Sequence, residues 1–94
     1  MFQADVRIRM VRMSDDMTTD VINITKLSTL MAGSGGKVKP RYIVKELNKK
    51  YGPYWHCFVA HDDAGLISYC SSDHNMYINF ETCGYHVVIF KSPE

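Results

Sequence analysis

Ninety-four residues, 46% hydrophobic and 22% charged, make one small domain with a modest core, and domains of this size often gain support by oligomerising. A formal net charge of +1 gives no electrostatic case for nucleic acid or an anionic membrane, and no apolar run approaches the ~20 residues that span a bilayer. Three cysteines, none in a CxxC pair, fit a reducing compartment, and Met1-Phe2-Gln3-Ala4-Asp5 lacks the basic-then-apolar order of a secretory signal.

Val6, Ile8 and Met10 alternate with Arg7 and Arg9, which predicts an N-terminal strand with one buried face after a flexible tail over 1–5. Ser14 offers an N-cap, with Asp15 and Asp16 in the first turn where negative charge is favoured. Met17, Val21, Ile24, Leu27 and Met31 follow at helical spacing, and Gly33 ends the helix. Its threonines lower the intrinsic propensity, so packing must hold it. Gly33-Ser34-Gly35-Gly36-Lys37 superficially suggests a phosphate cradle. Met31 and Val38 stand where that motif needs Gly and Ser or Thr, and a helix precedes the loop where a strand should, so it reads as a helix-helix connector.

Pro40 suits the first turn of a second helix, whose buried stripe is Ile43, Leu47 and Tyr51 with Val44 beside it; Lys45, Asn48 and Lys49 face solvent. Lys49 and Lys50 meet the negative end of the helix dipole, Gly52 supplies the left-handed stop and Pro53 prevents continuation. From Trp55 the spacing changes to that of a strand, Trp55 to Ala60. Further strands are expected at Leu66 to Cys70, at Asn75 to Phe80 with Met76, Ile78 and Phe80 on one face, and at Tyr85 to Phe90, a run suited to a central position. The order implies one α+β domain over 1–94: an N-terminal strand, two helices, then a mostly antiparallel sheet of four strands.

Catalytic signals are weak. His56 and Cys57 are adjacent, and on a strand neighbouring side chains point to opposite faces, so they cannot form a nucleophile-base pair. Cys57, Cys70, Cys83 and the histidines lack the close-paired spacing of a structural zinc site. No cofactor or metal is expected, and a zinc- or thiol-dependent enzyme is the least favoured reading.

Three blocks carry a resemblance: Met13-Ser14-Asp15-Asp16-Met17, then Lys49-Lys50-Tyr51-Gly52-Pro53-Tyr54-Trp55-His56-Cys57, then Phe90-Lys91-Ser92. Together they resemble the light-chain-eight type of dynein light chain, in the same element order from Val6 to Ser92. The resemblance implies a homodimer, or a heterodimer with a sister light chain, in which one strand is exchanged into the partner's sheet and a linear segment adds beside it as a further strand. By position it places Lys37, Gly65, Leu66, Ile67, Ser68, Tyr69, Cys70, Tyr77 and Val88 in the peptide groove. It places Val44, His56, Ala60, Leu66 and Tyr69 at the dimer interface. Gly36 stands where the family has an acidic residue, and Leu66 to Cys70 departs from the family's Gly-Ser-Tyr-Val-Thr-His strand, so the dimeric scaffold carries over more firmly than binding of Thr-Gln-Thr motifs. The implied function is a non-catalytic dynein subunit that dimerises intermediate-chain segments in a cytoplasmic, microtubule-associated motor or a ciliary axoneme. A general linear-motif hub is the alternative. Neither nucleic acid nor membrane is an expected partner.

Overall fold

Helix caps and strand pairing account for most of the architecture of the computed structural model, which describes residues 6–31, 33, 35–61, 76–82 and 84–92. The elements are β1 (Val6–Arg12), α1 (Asp15–Thr29), α2 (Pro40–Tyr51), β2 (Trp55–His61), β3 (Tyr77–Thr82) and β4 (Tyr85–Lys91). The strands form one antiparallel sheet in the order β1-β3-β4-β2. Strand β4 is therefore central, as its apolar run predicts. The expected exchanged strand, Leu66 to Cys70, lies outside the described residues.

Both helices cover one face of the sheet. Val21 and Ile24 of α1, and Val38, Ile43 and Leu47 of and before α2, pack with Trp55, Ile78, Phe80, Val87 and Ile89. This cluster is the core, and the alternation of these strand residues follows from the two-residue period of a strand. The other face carries His56, Phe58 and Ala60 from β2, His86, Val88 and Phe90 from β4, and Tyr77, Asn79 and Glu81 from β3, aligned by register.

Two local expectations are corrected. Strand β1 does not bury one face: Ile8 and Met10 are 45% and 44% exposed. The strand is an edge on the side of the sheet away from α2, and its pairing with β3 shifts register between Ile8 and Met10, which breaks the alternation. Helix α1 ends at Thr29 with Leu30 as its C-cap, not at Gly33, and Leu27 and Met31 are exposed. The buried residues are Val21, Ile24, Thr25 and Ser28. Two of these are polar and satisfied locally: Thr25 Oγ1 donates to the Val21 carbonyl at 2.9 Å and Ser28 Oγ to the Thr25 carbonyl at 2.7 Å. Ser28 Oγ also accepts from the Lys39 backbone N–H at 3.1 Å, tethering the entry of α2 to α1.

The caps agree with the sequence. Ser14 Oγ accepts from the Met17 N–H at 3.2 Å, and Pro40 occupies the start of α2. Lys50 Nζ and the Tyr51 hydroxyl both donate to Asp20 Oδ2 at 2.5 Å, joining the end of α2 to α1. Gly52 then takes φ +88° and ψ 174°, a region that essentially only glycine populates.

Candidate binding groove

Strand β2 has β4 on one side and no other strand neighbour among the described residues, so its outer N–H and C=O groups form a sheet edge. Beside that edge lies a groove of about 740 Å³. Its α2 wall is Pro40, Arg41, Val44, Lys45, Asn48 and Lys49; its β2 wall is Trp55, His56, Cys57 and Phe58. The junction over 52–54 links the two walls directly in sequence, which is why a helix ending at Tyr51 and a strand starting at Trp55 can form one cleft.

Several bonds fix the β2 wall. The Trp55 N–H donates to Asn48 Oδ1 at 3.2 Å, bridging the walls at their base. Tyr54 holds a positive φ of 78°, uncommon for a side-chain-bearing residue. Its carbonyl accepts from the Ser92 N–H at 2.9 Å and from Ser92 Oγ at 3.3 Å. His56 Nε2 lies 2.8 Å from the same Ser92 Oγ, and the His56 ring stacks on Phe90 at 5.1 Å between centroids. Phe58 stacks on Phe90 at 5.9 Å and is 42% exposed. An aromatic ladder of His56, Phe90 and Phe58 thus stands on the helix-free side of this edge.

The Trp55 ring is 3% exposed and meets Tyr51 at 6.1 Å in a tilted arrangement. Its Nε1 is buried with no hydrogen-bond partner among the described residues. Cys57 is half-buried as a residue, but desolvation pushes its thiol up to about 12, so at neutral pH it is a protonated, unreactive groove-lining group. Among the described residues, no three His, Cys, Asp or Glu side chains cluster as a metal site would require.

The structure does not bring all the residues singled out from sequence together. Val44 and His56 line the groove together. Ala60 sits further along β2, opposite His86. Lys37 is exposed before α2. Tyr77 and Val88 lie on the helix-free face, 2% and 0% exposed, in the rows paired with Phe90 and Asn79. Gly65, Leu66, Ile67, Ser68, Tyr69 and Cys70 lie outside the described residues. On the same face His86 Nε2 is 2.5 Å from Asn79 Oδ1, a buried polar pair that the sequence did not signal. Lys45, Asn48 and Lys49 were expected simply to face solvent; they do so while lining the groove together with Arg41. Their spacing along one helical stripe was the available signal.

Two helices on one face of an antiparallel sheet, with an edge strand beside a helix-walled cleft, define a small α+β domain with a groove along a sheet edge. The profile of the family described as Dynein light chain type 1 matches residues 5–92, and the chain belongs to that family. Solved structures agree in fold. The chain is similar to the dynein light chain-like domain of the Fasciola hepatica calcium binding protein FhCaBP2 in its native form. That likeness has a TM-score of 0.77 and 16% identity, covering 95% of this chain and 92% of that one. It is similar to the mercury derivative of the same domain at a TM-score of 0.74 and 18% identity, covering 96% and 94%.

Proposed function

We propose that the chain is a non-catalytic, dimeric adaptor subunit of a dynein motor that binds extended segments of dynein intermediate chains by strand addition. One observation carries this: among the described residues β2 has no second strand neighbour and borders a groove walled by α2, so the sheet has room for an exchanged strand of a partner subunit and, beside it, an added segment. A segment added beside that exchanged strand satisfies the unpaired backbone groups of the enlarged sheet, which supplies affinity, while the groove reads alternate side chains. Family membership supports dimerisation and dynein partners in general. The aromatic ladder of His56, Phe90 and Phe58 is the surface that a second copy would cover, since exposed apolar area beside an open edge marks an association site. Two grooves held in one dimer would join two partner chains, and linking both sites multiplies affinity by ~10²–10⁴. The place of action under this reading is the microtubule cytoskeleton, in the cytoplasm or a cilium.

Trp55 makes the test direct, because it is the single tryptophan and it lines the groove. Sedimentation equilibrium should give a dimer, and titration with intermediate-chain segments should change Trp55 emission and saturate at one segment per chain. A monomer at all concentrations, or no segment that binds, refutes the proposal.

A further inference from the structure

Strand β1 lies at the other end of the sheet from the groove and pairs only with β3 among the described residues, so its outer backbone groups form a second edge. Strict alternation would set Arg7 and Arg9 on one face of this strand and Arg12 on the other. The register shift between Ile8 and Met10 changes that. Past it, Arg12 pairs with Tyr77 as Arg7 pairs with Glu81, and both partners stand on the helix-free face. Arg9, at the shift, turns its guanidinium to the same side, where Nε donates to Glu81 Oε2 at 2.6 Å. Arg7 reaches Glu81 Oε1 only at 3.8 Å with its side chain 77% exposed, and among the described residues no ion pair engages Arg12. The shift thus gathers three arginines on one face, with a single glutamate between Arg7 and Arg9. It also leaves Ile8 and Val11, the partners of Phe80 and Ile78, together on the helix side, 45% and 40% exposed.

An edge that is basic on one face and apolar on the other fits a strand of complementary faces. A strand added to β1 lays its side chains beside those of β1, alternately on the two faces. Arg7 and Arg12 pair with β3 residues four apart, a span of ~13 Å, so acidic side chains four apart on the added strand meet both. The side chains on its other face then lie beside Ile8 and Val11. We propose that the outer edge of β1 docks an extended protein segment that carries acidic side chains on one face and apolar side chains on the other. This edge is separate from the β2 groove, so docking here neither needs nor excludes the strand exchange proposed for that end of the sheet. A second copy of the chain is a poor occupant. Antiparallel pairing of two β1 edges aligns their arginine faces, and like charges directly opposite destabilise a sheet. Charges and a bulge guard an edge against its own kind, and the same charges attract a strand of opposite sign. A nucleic acid matches the arginines but leaves Ile8, Val11 and the backbone groups of the edge without partners.

Exposure sets the size of the effect. A solvent-exposed ion pair adds about a twofold preference, so Arg7 and Arg12 together give about fourfold, and salt screens them. The experiment is a fluorescence anisotropy titration of three labelled short peptides in which Val alternates with Glu, Gln or Lys. The Glu peptide should bind about fourfold more tightly than the Gln peptide, and the Lys peptide more weakly than both. The gap between Glu and Gln should close in ~1 M salt, where the screening length falls to ~3 Å. Arg7→Gln/Arg12→Gln, its fold checked by circular dichroism, should bind the Gln peptide as before and lose the preference. Ile8→Ser/Val11→Ser should weaken all three peptides alike. Amide resonances over 7–12 should shift as the Glu peptide is added and those of α2 should not, a readout that needs no variant. Equal binding of the Glu and Gln peptides, a preference that survives Arg7→Gln/Arg12→Gln, or no binding of any peptide overturns this inference and leaves the reading of the β2 groove standing. Shifts confined to α2 and β2 assign the peptide to that groove and overturn it too. Displacement of the Glu peptide by an oligothymidine as effectively as by unlabelled Glu peptide overturns selection of a protein segment. Species larger than a dimer that dissociate as peptide is added assign the edge to a second copy and overturn it as well.

Discussion

Replacing Trp55 by Phe should change stability by less than about 1 kcal/mol, although Trp55 is 3% exposed and belongs to the core. Two opposing effects produce that result. Trimming the indole to a phenyl ring removes packing worth ~2 kcal/mol, at ~0.8 kcal/mol per buried carbon plus a term for the void. The same change removes Nε1–H, which is buried with no partner among the described residues, and an unsatisfied buried donor costs ~1–3 kcal/mol. Trp55→Ala removes the donor too, but it deletes the whole ring and its contact with Tyr51, and should cost ~3–5 kcal/mol. Urea unfolding followed by far-ultraviolet circular dichroism measures both variants, at one fixed protein concentration because dimer stability depends on it. A Trp55→Phe loss above ~2 kcal/mol would refute the reasoning, because it would mean that the indole N–H has an acceptor in solution. The single indole N–H resonance then gives an independent check, since a bonded and an unbonded proton differ in shift and exchange.

The Asp20 latch gives two pH limbs. Hydrogen bonds from Lys50, then Tyr51, hold the Asp20 carboxyl below its usual 3.8, so the stability it adds is present above that value and is lost as pH falls through the folded one. The bond to Asp20 raises the Tyr51 hydroxyl from 10.0 to about 12, so that contribution is present below 10 and is lost as pH rises through 12. With Lys50 54% exposed the latch is worth ~0.5–1 kcal/mol, and Asp20→Asn should flatten both limbs in unfolding measured from acid to alkaline pH. Leu47→Ala, at a fully buried α2 position, should cost ~2–5 kcal/mol in urea unfolding and lower groove binding only in proportion to the unfolded fraction. Gly52→Ala meets no atom within 4 Å, so its expected cost of ~1–3 kcal/mol comes wholly from backbone strain and should appear in thermal unfolding without a cavity-like response to pressure.

The parts of the fold legible in the sequence were those written in local chemistry. Ser14 caps, Pro40 starts and Gly52-Pro53 stops because each acts on the backbone within a turn of itself. The β4 run and the two-residue rows of β2 and β3 were legible because both strands pair with β4 in unbroken register. The misread regions depend on longer-range facts. The exposure of Ile8 and Met10 depends on β1 being the edge far from α2 and on an irregular register with β3. Thr25 looked like a weak helix former, yet it and Ser28 are buried because each returns its hydroxyl to the helix's own backbone, which no apolar periodicity reveals. Asn79 and His86 are seven apart in sequence, and the β3-β4 hairpin alone makes them partners.

The groove shows the same division within one site. Its position is a local matter, since both walls leave a junction whose conformation is over-determined: a φ of +88° at Gly52, a φ of 78° at Tyr54, and two hydrogen bonds from Ser92 to the Tyr54 carbonyl. Strained backbone persists only where surrounding bonds enforce it, and here the enforcing residue follows β4, the strand that pairs with β2. The groove is therefore anchored to the centre of the sheet, while the charged side chains of its other wall lie on the exposed face of α2. Substitutions at Arg41, Lys45 or Lys49 should leave the core undisturbed, because their side chains contribute nothing to the buried cluster.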